Sequence, residues 1–138
     1  MARASVHVPA ALVGAVRDTV VRLYHSTVEA LHLSLRAHIE RGEPRDDATL
    51  CRARLADLDA LLVRLGWWGA AAPDGDVELR APRDVLHDAL YGTLIEAGER
   101  LAAACGDGWR VGDCPDTVRG AALEVIALDG LLAELREQ

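Results

Sequence analysis

The sequence predicts a mainly α fold: a four-helix, bundle-like domain made of two strand–helix–helix units, with a minor two-stranded β-ribbon. Three observations carry that expectation. Long stretches place apolar residues at three- and four-residue steps, the period of a helix that buries one face. Two of these stretches are preceded by a short segment with apolar residues at two-residue spacing, the period of a strand. Finally, "LDALLVRL" at residues 58–65 returns as "LDGLLAEL" at residues 128–135, seventy residues later.

The elements follow in chain order. "SVHVP" reads as a strand over residues 5–8, closed by a proline that suits a helix start. Residues 9–41 hold no breaker except Gly14, and Val16, Val20, Leu23, Thr27, Leu31 and Leu35 mark one apolar stripe. Gly42 and Pro44 stop this long helix. Asp46 or Asp47 is expected to cap a second helix, whose core face is Cys51, Leu55, Leu58, Leu62 and Leu65. "GWWGAAAPDG" then forms a linker over 66–75. A second strand is expected at 76–80, followed by a helix with Leu86, Leu90, Leu94, Ala97 and Leu101 on one face. After "GDGWRVGDCP" a last helix carries Ala121, Val125, Leu128, Leu132 and Leu135. Each of these five lies seventy residues beyond a core position of the second helix. One domain over 1–138 with an internal duplication, about 5–65 and 76–135, accounts for the repeated order of elements. A single unit cannot cover its own apolar face, whereas two can enclose one core. The strands could pair with each other or with a partner chain.

Composition narrows the function classes. The 138 residues suit one domain, and half of them are apolar. With no Phe, the core must be aliphatic. All 15 basic residues are Arg, and Lys and Asn are absent, a bias expected of a GC-rich bacterial genome. A net charge of −7 with scattered arginines argues against nucleic-acid binding and anionic membrane surfaces. No apolar run reaches the roughly 18 residues that a membrane helix needs. Cys51, Cys105 and Cys114 form no CxxC pair, so a reduced, cytoplasmic protein without a disulfide framework is expected.

Several side chains are candidate site residues. His25, Glu29 and His32 share one helical face at steps of four and three, and Glu-x-x-His is the spacing of di-iron bundles. That face also carries Asp18, Arg22, Arg36 and Glu40 and turns away from the apolar stripe, as an ordinary ion-paired surface would. His38, His87 and Tyr91 could line a ligand pocket, or the histidines could be boundary residues with satisfied rings. Gly92 and Gly98, inside the third helix, point to close helix approach or room for a ligand. Trp67 and Trp68 could form a lid over the core or a partner-binding patch. Leu123, Ile126 and Leu131 lie outside the core stripe of the last helix. They are expected to form a homodimer interface, because a helix apolar nearly all round is buried nearly all round.

No nucleophile constellation, phosphate loop or convincing metal set stands out. The leading expectation is therefore a non-enzymatic bacterial interaction or regulatory protein acting through helical surfaces. It needs no cofactor, is a homodimer and engages a protein partner, not nucleic acid or membrane. The alternative is a small-molecule or metal-binding helical bundle with minor enzymatic activity.

Overall fold

The computed structural model describes residues 3–69, 71–106 and 116–138. Among them the chain forms β1 (Arg3–Val8), α1 (Ala10–Arg41), α2 (Asp46–Arg64), β2 (Val77–Pro82), α3 (Arg83–Gly106) and α4 (Asp116–Glu137). The fold is mainly α, with one small antiparallel sheet. β1 and β2 pair with each other within the chain, Val6 opposite Leu79 and Val8 opposite Val77. Side chains alternate across a strand. Ala4, Val6 and Val8 therefore join Val77, Leu79 and Ala81 in the core, while Arg3, His7, Glu78 and Arg80 face solvent. Both ribbon edges are held by the end of a helix pair. The Gln138 side chain accepts from Ser5 N–H (2.9 Å) and donates to Ser5 O (2.6 Å), while Arg64 donates to Glu78 O (3.3 Å).

Local chemistry sets the helix ends. Pro9 has no side-chain cap to offer α1, so a long-range group supplies one: Asp76 Oδ1 accepts the Ala10 N–H at 2.9 Å. Asp76, expected to begin the second strand, instead precedes it. Gly42 ends α1 at φ 66°, a left-handed conformation that glycine adopts without a Cβ penalty. Asp46 and Asp47 do not cap α2, which begins after Arg45 without a side-chain cap bond. They occupy its first turn, where carboxylates meet the partial positive charge of the helix N-terminus.

α1 packs along α2 and α3 along α4, and the two hairpins meet where α1 crosses α3. β1 lies against α3 and α4, and β2 against α2 and α3. Each strand thus covers the second helix of the opposite unit. Leu58, Leu62, Leu128 and Leu132 are fully buried in the resulting core. The α1–α3 crossing is close because Gly92 has no side chain: a Cβ there would stand 2.8 Å from Thr19 Cγ2. Beside it, the buried Thr93 hydroxyl donates to Thr19 Oγ1 at 2.8 Å.

Pro82 follows Pro9 by 73 residues, and under that shift the ribbon maps onto itself: the Ala4–Ala81 pair becomes Val77–Val8, and Val6–Leu79 is its own image. Ser5 and Glu78, the two edge residues held by Gln138 and Arg64, are also 73 apart. Leu58, Leu61, Leu62 and Leu65 correspond at a shift of seventy to Leu128, Leu131, Leu132 and Leu135, all buried. The halves differ in length. α1 has 32 residues and α3 24, so the last two turns of α1 have no helical counterpart among the described residues.

Candidate functional site

Beyond its crossing with α3, α1 borders a concavity. Its final turns, the turn at Glu43 and Pro44, and the first turns of α2 enclose an open cleft of about 800 Å³. Ala30, Leu33, Ala37, Leu50 and Cys51 provide an apolar lining. Arg41, Glu43, Asp46 and Asp47 form the rim. Arg41 Nε donates to Glu43 Oε1 at 3.2 Å, and the two aspartates have no ion pair among the described residues. Leu33 is 59% exposed and Leu50 68%. No described residue buries either of them.

A second exposed apolar surface lies on α4. Leu123 is 55% and Ile126 66% exposed. Leu131, grouped with them from sequence, is only 7% exposed and belongs to the monomer core. It joins Leu132 in the hydrophobic core, so it is not available to a partner. The remaining members continue a stripe Arg119, Leu123, Ile126 and Gly130, at steps of four, three and four, all exposed.

The pocket expected from His38, His87 and Tyr91 does not form. His38 stands 19 residues beyond Thr19, about 28 Å along α1 at the helical rise, whereas Tyr91 neighbours the Gly92 that Thr19 touches. Side chains cannot bridge that separation. The His38 ring is half-buried and its Nδ1 donates to Glu43 O at 2.6 Å, which secures the turn after α1. His87 and Tyr91 do meet. Their rings stack on the exposed side of α3, with centroids 5.6 Å apart and planes 10° apart. The Asp88 carboxylate next to them is engaged by Arg54 of α2.

The metal reading fails on geometry as well. His25 and His32 are seven residues apart, about 10 Å along a helix axis, while metal–nitrogen bonds are about 2 Å. All three side chains of the set are exposed. His25 and Glu29 border one shallow cleft and His32 another. Among the described residues, no three His, Cys, Asp or Glu side chains come together to hold a metal ion. The face is an ion-paired surface: Arg36 binds Glu40 at 2.9 Å, and Arg22 reaches Glu96 on α3.

Trp68 adopts a left-handed backbone (φ 58°) and packs edge-on against Tyr24 of α1, with ring centroids 5.4 Å apart. It stays 53% exposed and Trp67 39%. Trp109 and Cys114 lie outside the described residues. Gly98 has open space where a Cβ would point, so nothing in the structure explains it.

The sequence stripe pattern missed Leu33 and Leu50. The available signal was their place off the core face of helices expected to be amphipathic. No described helix is long and apolar enough to cross a membrane. Comparison of the chain with protein-family models, curated proteins and solved structures gives no match.

Proposed function

We propose that the protein is a non-enzymatic bacterial interaction or regulatory module of the cytoplasm, working through its helical surfaces, and that it forms a homodimer. The observation that carries this reading is the pair Leu123 and Ile126. Each is more than half exposed on α4, although the same helix buries Leu128, Leu131, Leu132 and Leu135. Large apolar side chains grouped on one exposed stripe favour a surface that is covered in use. A second copy is the simplest cover, because most soluble oligomers are closed assemblies of one chain, twofold dimers most of all.

Light scattering coupled to size exclusion tests the reading. A homodimer has twice the 14.8 kDa chain mass at micromolar concentration. Ile126→Glu is expected to return the protein to monomer mass with its helical circular dichroism intact, since an unpaired charge in an apolar interface is costly to desolvate. A wild-type chain that stays monomeric across this range would reject self-association.

A further inference from the structure

The two halves differ most tellingly at their surfaces. The buried leucines of α2 and α4 match one for one, but several exposed positions of the two hairpins do not, and at four of them a large apolar side chain stands opposite glycine or alanine. Leu33 and Leu50, in the α1–α2 cleft, correspond to Gly106 and Gly120. Conversely, Leu123 and Ile126 of α4 correspond to Ala53 and Ala56 of α2. Either half forms its helix hairpin without the large residue, so the fold itself requires none of the four. All four are more than half exposed, where they bury little area within the chain. One half therefore carries an apolar cleft and the other an apolar ridge.

The charges match as well. The α4 ridge begins with Arg119, which has no ion pair among the described residues, and the cleft rim carries Asp46 and Asp47, which have none either. Gly130, further along the ridge, has open space where a Cβ would point. From this complementarity we infer that the α4 ridge of a second copy lies in the α1–α2 cleft. Leu123 and Ile126 of one copy pack against Leu33 and Leu50 of the other, and Arg119 meets Asp46 and Asp47. Each copy owns one ridge and one cleft, and in a twofold arrangement both contacts are made at once. The inference rests on the reading of the protein as a self-associating module and goes further by naming two different surfaces as the interface. An α4-on-α4 dimer would use only one.

Mixing two variants of the full-length chain separates these arrangements. Leu50→Glu disables the cleft and Ile126→Glu disables the ridge. Both residues are exposed, so both variants should keep the wild-type helical signal and still unfold cooperatively. Light scattering should find each variant monomeric alone. An equimolar mixture should form a heterodimer, because one intact ridge then meets one intact cleft. Its affinity should be weaker than that of the wild type, since one contact of two remains. Arg119→Ala should weaken the wild-type dimer about fivefold, and less at high salt. If Leu50→Glu leaves the dimer intact while Ile126→Glu splits it, the cleft is not the docking site, although self-association through α4 stands. If both variants are monomers and their mixture stays monomeric, the ridge-in-cleft contact is wrong. A monomeric wild type would overturn both this contact and the reading beneath it.

Discussion

Gly92 and Gly98 show how far one position in a helix depends on its neighbour. Both cost α3 about 1 kcal/mol of helix propensity relative to alanine. At Gly92 an added Cβ would meet the Thr19 methyl at 2.8 Å. Thr19 cannot turn that methyl aside freely, because its hydroxyl accepts from Thr93 and donates to Ala15 O. Gly92→Ala should therefore cost about 1–2 kcal/mol in urea unfolding, overpacking outweighing the helix gain. Gly98→Ala meets open space and should be neutral or stabilise by up to about 1 kcal/mol. A stabilising Gly92→Ala would show that α1 and α3 do not approach as closely as described. In the core, Leu58→Ala and Leu128→Ala should each cost about 2–5 kcal/mol by the same measurement, because both side chains are fully enclosed.

At the level of elements, α1 depends on a cap from outside its own unit. Its N-cap residue, Pro9, offers no side-chain acceptor, and Asp76, 66 residues beyond Ala10, takes the Ala10 N–H. Asp76→Ala should destabilise the protein by about 1 kcal/mol, and Asp76→Asn, which keeps an acceptor oxygen, by less. Equal losses for the two variants would show that this hydrogen bond contributes little. The same element shows what sequence can and cannot display. Helical periodicity located all four helices, and two-residue spacing located both strands, because those patterns are the local image of a buried face. Leu58 and Leu128 were legible as core for that reason. Asp76 as a cap was not, since a contact between residues 10 and 76 leaves no local pattern. Leu131 was misread because α4 is wedged between the ribbon and α3 and buries more than one stripe. The α1–α2 cleft was equally hidden: the last turns of α1, the turn at Glu43 and Pro44 and the first turns of α2 form it together, and none of them shows it alone. His38 and His87 looked alike on their helical wheels, but only packing separates them by most of the length of α1.

For the whole molecule, the exchange of strands between units decides how it unfolds. β1 packs on α4 and β2 on α2, so neither half keeps its own strand against its own second helix. The hydrophobic core runs through both halves without interruption, from Val6 and Leu79 in the ribbon to Leu62 and Leu132 in the helices. Removing either half would leave the other with an uncovered ribbon face and an uncovered α1 or α3. A duplicated chain of independent modules would unfold in two steps. This one should unfold in a single transition, because the core cannot be opened on one side only. Circular dichroism, which reports all four helices, and tryptophan fluorescence should give the same urea midpoint. Leu58→Ala and Leu128→Ala lie in different halves, and each should lower that shared midpoint without splitting it. A biphasic curve in either variant would mean that one hairpin can melt while the other survives. Separate expression of residues 1–70 and 71–138 sharpens the test. Each fragment alone should lack cooperative unfolding, and mixing them should restore helical signal as the two strands pair again across the cut.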